Sequence, residues 1–307
     1  MTRPTTADLT TFESHRALLV AHAYRMLGDL GRAEDMVQEA WLRWSGRQTG
    51  EVIDSPRAYL VTLVTRLCLN ELDSAKSRHE ESRADRLPEP VELNDGGIGQ
   101  VEVMDQISMA FLVLLQRLTP AERAVLLLRD VFDFDYKEIA ALVGKNEPAC
   151  RKLLERAREH VASEKRLFSA SPEVHRRLLM AFTKAARAGD VETLVSLLAE
   201  DAVMITDGGP EGRQVDGRRN LPIPLNGAAK IAAFVAAGSR RRGHFDIAIH
   251  ELNGQPGLVF YEGGAPFGAL LLAVSDDRIH RVFFHGDLAR LGHLGAAQAI
   301  RGPESSG

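Results

Sequence analysis

The chain divides by the spacing of its apolar positions. From residue 8 to 78 they recur three and four apart, through Leu18, Leu19, Ala23 and Met26 and again through Met36, Val37, Ala40 and Trp41, the period of helices that bury one side. Asp54-Ser55-Pro56 predicts the start of a further helix, since the missing proline N–H costs little in a first turn. No breaker follows before Lys76, so this helix should be long, about five to six turns. Over 79–100 the pattern stops. Leu87-Pro88-Glu89-Pro90 and Asp95-Gly96-Gly97 cannot continue a helix and offer little to bury, which predicts a linker.

Helical spacing returns over 101–166. Thr119-Pro120-Ala121-Glu122 has the residues of a capped helix start, with threonine as cap, proline in the first turn and a glutamate three residues on. Tyr136 to Gly144 reads as a short helix closed by glycine, and Asn146-Glu147-Pro148 opens the next at once. That is a helix-turn-helix in which Ile139, Ala140 and Val143 should face Cys150, Leu153 and Leu154. A last stretch, 172–300, begins with helices over 172–187 and 190–199 and has another over 228–237. Short runs rich in Val, Ile and Phe at 202–206, 245–252, 258–261, 269–274 and 279–284 predict strands. The expected architecture is multidomain: two all-α helical modules at 8–78 and 101–166, then an α+β domain with an antiparallel sheet.

Composition narrows the functional classes. With 45% apolar and 26% charged residues the chain suits soluble folding, and runs such as Ala269 to Val274 are too short to cross a bilayer. Met1 to Thr5 lacks the apolar core of a signal peptide, and Cys68 and Cys150 cannot make a disulfide framework, so a reducing cytoplasm and no membrane are expected. The net charge of −4 argues against coating nucleic acid by charge alone; DNA binding must be local or helped by a partner. No cofactor, metal or catalytic set is assigned.

Three groups of residues carry candidate chemistry. The second helix of the helix-turn-helix would bring Asn146, Glu147, Ala149, Arg151, Lys152 and Glu155 to base edges in a major groove, with Arg156 and Arg158 on the backbone. Earlier, Glu34, Asp35, Gln38 and Glu39 share one side of a helix, beside Trp41 and Leu42. DNA repels such a surface, so its natural partner is a basic protein surface. Along the long helix Tyr59, Thr62, Arg66, Asn70 and Lys76, followed by Arg78, could meet unstacked bases and phosphates.

Residues 8–165 resemble the extracytoplasmic-function (ECF) group of sigma-70-type sigma factors. Ala33-Glu34-Asp35-Met36-Val37-Gln38-Glu39-Ala40-Trp41-Leu42-Arg43 is similar to the helix that docks on the β′ coiled coil of RNA polymerase. Leu118 to Leu128 followed by Tyr136-Lys137-Glu138-Ile139-Ala140 is similar to the second conserved module, which implies −35 promoter DNA and the polymerase β flap as partners. For the long helix the resemblance implies −10 opening, although Asn70-Glu71-Leu72-Asp73 stands where basic residues are usual. Both modules must engage DNA together. The 22 residues of 79–100 have a coil span of roughly 25 Å and an extended limit near about 75 Å, enough to bridge separated elements.

Residues 172–300 resemble the SnoaL-like branch of the NTF2 superfamily, whose sheet wraps a pocket that in some members holds an Asp–His acid–base pair. Asp207, His285 and Asp287 are the pocket candidates, the last two expected on one side of a strand. Fold alone does not confer activity, and the resemblance implies instead a regulatory domain that contacts the sigma modules. His285-Gly286-Asp287-Leu288 stands here in place of the Asn-Pro-Asp-Lys-like turn common in that subgroup. Two other readings remain: a ligand-responsive helix-turn-helix regulator that works without polymerase, and a SnoaL-type enzyme tethered to a DNA-binding module.

Overall fold

In a computed structural model of the chain the described residues are 6–47, 53–77, 86–92, 108–164, 170–209, 221, 223–241 and 245–295. They separate into two compact units. The first holds α1 (Thr6–Leu27), α2 (Leu30–Ser45), α3 (Pro56–Ser77), α5 (Pro120–Asp130), α6 (Tyr136–Val143) and α7 (Glu147–Glu164), with most of α4 (Met109–Arg117). Small residues let α1 and α2 approach closely: Ala21, Ala23, Ala33 and Ala40 are fully buried alongside Leu19, Tyr24 and Met26. Trp44 fills the space between α2 and α3, its indole N–H donating to the Asp8 carbonyl at 3.1 Å and its ring meeting Tyr59 at 5.7 Å.

Two buried side chains of this unit make hydrogen bonds that join its helices. The Thr65 hydroxyl donates to the Val61 carbonyl at 2.7 Å and accepts from Nε2 of His22, also at 2.7 Å. Burial, helped by Arg25, pushes the His22 pKa down to about 3, so the ring is neutral. The buried guanidinium of Arg123 on α5 donates to the carbonyls of Leu115 and Leu118 and to that of Met26 at the end of α1. Arg123 therefore ties the second helical module to the first.

Local signals explain the helix ends. Thr119 and Glu122 form a reciprocal capping box on α5, and Asp135 and Glu138 form another on α6. Gly144, at φ 65°, ends α6 in the left-handed conformation that glycine tolerates. The packing inside the helix-turn-helix differs from expectation at one position, since Leu142 is buried with Ile139 and Ala140 while Val143 is only half-buried.

The second unit begins with α8 (Pro172–Ala188) and α9 (Val191–Leu197), continues through β1 (Leu198–Asp207), β2 (Leu225–Asn226) and α10 (Ala228–Arg241), and ends in β3 (Asp246–Leu252), β4 (Gln255–Glu262), β5 (Ala265–Ser275) and β6 (Arg278–His285). The strands make one sheet in the order β2-β1-β6-β5-β4-β3. It is not wholly antiparallel as expected: β1 and β6 run parallel, because the last strand, formed after the chain has crossed through α10 and built β3 to β5, lies down beside β1. Leu179, Phe182, Ile231 and Ala232 from the helices pack with Leu258, Phe260, Leu272 and Val282 on one side of the sheet. Strand alternation sends Val259 and Tyr261 to the other side, yet both are fully buried, so that side is covered as well.

Residues 86–92, inside the stretch read as a linker, group with this second unit, and Glu92 forms an isolated bridge to Leu252 of β3.

Candidate functional site

Helix α2 starts from Asp29, whose carboxylate accepts the Arg32 amide at 3.0 Å, and it buries Ala33, Val37, Ala40 and Trp44. That registry turns Glu34, Asp35 and Gln38 to solvent, with Glu39 half-buried and paired to Arg43 at 2.9 Å. Trp41 lies half-exposed against Phe12, ring centroids 5.1 Å apart. Leu42 is 58% exposed, an apolar side chain beside the acidic residues with no core to fill.

On α3, Arg66 and Asn70 are exposed, while Tyr59 and Thr62 are half-buried. Glu71 turns back to pair with Arg32 of α2, so one of the two acids in Asn70-Glu71-Leu72-Asp73 has a cation of its own; Asp73 is exposed. Lys76 lies in the last turn of α3, and Arg78 lies outside the described residues.

Helix α7, the second of the helix-turn-helix, presents a more engaged surface than its sequence suggests. Asn146 caps it, accepting the Ala149 amide at 2.9 Å, and half-buried Ala149 adds no polar atom of its own. Glu147 pairs with Arg151 at 3.0 Å. The two arginines placed on the DNA backbone reach α5 instead: Arg156 meets Glu122 at 3.2 Å, and Arg158 makes a bidentate pair with Asp130 at 2.6 and 3.2 Å. Arg151, Lys152, Glu155, Arg156 and Arg158 are nonetheless all exposed, and the pairs of Arg151 with Glu147 and Arg158 with Asp130 can exchange partners at little cost, whereas Glu122, the partner of Arg156, is buried.

Of the pocket candidates of the second unit, Asp207 and Asp287 hold residues 86–92. Asp207 is almost wholly buried, and one carboxylate oxygen accepts the Leu87 amide at 3.1 Å and faces Arg290 at 3.4 Å while the other accepts the Gly209 amide at 3.1 Å. Burial raises the Asp207 pKa, a shift opposed by Arg290, the Gly209 amide and Arg86 and reinforced by Asp287. Arg290 also donates to the Leu87 carbonyl at 2.7 Å. His285 lies beside Asp207 in the parallel pairing of β1 with β6, and burial, then Arg290, pushes its pKa down to about 3. Asp287 does not share a strand with His285: β6 ends there, and Asp287 caps the short 3-10 turn Leu288–Arg290, where it pairs with Arg86 at 3.3 Å. A Cβ at Gly209, φ +57°, would come within 2.5 Å of the Asp287 carboxylate, so only glycine fits this turn.

The grip continues along the segment. Asn253, in the turn between β3 and β4, accepts the Val91 amide at 3.2 Å and returns its own amide to the Val91 carbonyl at 2.8 Å. Glu92 pairs with Nδ1 of His250, whose Nε2 lies 2.8 Å from the Tyr261 hydroxyl; that hydroxyl donates to the Gly295 carbonyl at 3.0 Å. Burial and then Glu92 raise the Tyr261 pKa to about 12, which keeps this donor protonated. His293 contacts Glu89 at 3.1 Å and the Pro90 carbonyl at 2.9 Å. Burial alone would lower the His293 pKa, but Glu89, Pro90 and Glu92 outweigh it and raise it.

None of Arg290, Asn253, His250, Tyr261 or His293 stood out in the sequence as a site residue. The Asn253-Gly254 turn was the one local signal, and it speaks of a hairpin rather than of a partner 160 residues away. Among the described residues no group of His, Cys, Asp and Glu is placed to hold a metal, and no helix is long and apolar enough to cross a membrane.

Comparison with known proteins accounts for both helical modules. Residues 11–78 match Sigma-70 region 2, and residues 108–161 match Sigma-70, region 4. The ECF RNA polymerase sigma factor SigJ of Mycobacterium tuberculosis is 35% identical over 267 residues, 84% of this chain and 82% of that protein. The chain belongs to the ECF RNA polymerase sigma factors. A probable ECF RNA polymerase sigma factor, SigI of Mycobacterium tuberculosis, is 32% identical over 278 residues, covering 88% of this sigma factor and 90% of its relative. The crystal structure of Mycobacterium tuberculosis SigJ superposes with a TM-score of 0.70 at 29% identity, covering 92% of this chain and 97% of that one, so the likeness extends through the C-terminal unit.

Proposed function

We propose that this sigma factor docks on core RNA polymerase in the cytoplasm through the acidic side of α2, reads duplex promoter DNA with α7, and contacts the opened −10 strand along α3. The β′ coiled coil is the partner assigned to Glu34, Asp35, Gln38, Glu39, Trp41 and Leu42, and the β flap to the second helical module. Exposed carboxylates beside an exposed leucine suit a basic protein surface with an apolar contact and would repel DNA.

The C-terminal domain acts in this reading as a regulator through the joining segment, and the observation that carries it is the grip on residues 86–92. Holding those residues divides one long tether into two short ones, 79–85 and 93–100, each reaching at most about 25 Å. Gripped, the tether limits how far the two promoter-reading modules can separate; released, its full length is available. Asp207 and His285 serve the clasp in this reading rather than acid–base chemistry, because both oxygens of Asp207 already have partners and His285 is a neutral, buried ring.

Run-off transcription with core polymerase tests both parts. Asp35→Lys with Glu39→Lys should lower core binding and transcript yield at least about tenfold; unchanged yield would overturn the docking assignment. Asn253→Ala, which removes one fastening of the segment, should change yield while leaving core binding intact. Equal output from that variant and the unmodified chain would overturn the regulatory assignment.

A further inference from the structure

The recognition helix contains one arginine whose side chain is held from two directions before any DNA arrives. The Arg151 guanidinium carbon lies 4.2 Å from the centre of the Tyr136 ring, and its Nη2 donates to Glu147 at 3.0 Å. Tyr136 is itself fixed. It is the first residue of α6, directly after Asp135, whose carboxylate accepts the Glu138 amide at 2.8 Å while Glu138 returns to the Asp135 amide at 2.9 Å. A second guanidinium, that of Arg129 at the end of α5, lies 5.4 Å from the same ring and is anchored by donating to the Phe134 carbonyl at 2.7 Å. Tyr136, Arg151, Leu154, Glu155 and Arg158 line one shallow groove of about 390 Å³ on the exposed side of the helix-turn-helix.

An unrestrained arginine samples many rotamers, and a bidentate contact to a base must select one of them. An aromatic face fixes the guanidinium plane without occupying its N–H edges, and a carboxylate on one edge leaves the other edges to donate. Glu147 alone would hold Arg151 along the helix axis but would let the plane rotate; the ring removes that freedom. We propose that Tyr136 is a positioning residue for −35 recognition: it orients Arg151 as a base reader before binding, so that its removal relaxes specificity at one base pair. The inference rests on the reading of α7 as the DNA-contacting helix.

The test uses the full chain in complex with core polymerase. A duplex is first selected by the unmodified complex from a randomised library, and every single base-pair variant of it is then measured by competition. Arg151→Ala serves as the reference and should abolish discrimination at one position. Tyr136→Ala and Tyr136→Leu should reduce discrimination at that same position about tenfold, leave the other positions within about twofold, and retain the unfolding midpoint of the unmodified chain. Tyr136→Phe keeps the ring and should restore discrimination. Uniform weakening of every duplex by the Ala and Leu variants would make Tyr136 merely structural and overturn the inference. So would discrimination preserved in both of them while Arg151→Ala loses it, a result that leaves the reading of α7 standing. If Arg151→Ala changes discrimination nowhere, the role given to Arg151 in α7 fails and this inference fails with it.

Discussion

The two units put ionisable residues to opposite uses. In the helical unit the residues assigned to partners are exposed or half-buried, and their intramolecular pairs include ones water can replace: Glu39 with Arg43, Glu147 with Arg151, Arg158 with Asp130. In the C-terminal unit Asp207, His285 and Asp287 are buried, and Asp207 and Asp287 fasten a segment more than a hundred residues earlier in the chain. Exposed charges are screened and cheap to rearrange, so they can be offered to a partner. Buried charges are costly to separate, so they hold a conformation. A residue pattern that serves acid–base chemistry on one scaffold serves here as a clasp.

Removing the cation at the centre of the clasp tests this contrast most severely. Arg290→Met leaves Asp207 buried without its arginine and takes a donor from the Leu87 carbonyl. Expected is a loss of about 2 kcal/mol in the docking of residues 86–92, read as a roughly thirtyfold faster amide exchange at Leu87 and Val91. Unaltered exchange would show that the clasp does not depend on this ion pair.

A smaller effect should follow from pH. The His293 pKa is raised by its partners, so the stability it adds is complete below the ordinary histidine value and disappears as pH climbs through the raised one. Amide exchange in the segment, corrected for its intrinsic pH dependence, should accelerate by about fivefold across that interval, about 1 kcal/mol. His293→Gln should flatten the profile, and an equally steep profile in that variant would assign the dependence to another group.

The smallest effect belongs to the helical unit. Asp35→Lys should change unfolding free energy by no more than about 0.5 kcal/mol, because the side chain is exposed, even though the same change is expected to weaken polymerase binding. A destabilisation of several kcal/mol would mean that the acidic side of α2 is structural, and the contrast between the units would fail.

Much of this was legible in the chain itself, and where legibility ended has a physical cause. Apolar spacing, Asp29, Thr119 and Asp135 as caps, Pro56 and Pro120 in first turns and Gly144 after α6 act within a few residues, so helices α1 to α7 and the turn of the helix-turn-helix follow from local chemistry. Apart from the two-residue β2, the strands of the C-terminal unit were visible as runs rich in Val, Ile and Phe, because residue type is local too. The parallel pairing of β1 with β6 was not, since it joins segments about eighty residues apart and no short-range rule selects it. Nor could residues 86–92 be read as part of a fold: Leu87-Pro88-Glu89-Pro90 lacks a period, and the segment is held by Asp207, His250, Asn253, Asp287, Arg290 and His293, which only the folded sheet brings to it. The sequence by itself determined which residues could carry charge, helix and strand. Tertiary structure alone decided which charges remain available to a partner and which are closed upon the chain, because burial and pairing are properties of neighbours in space.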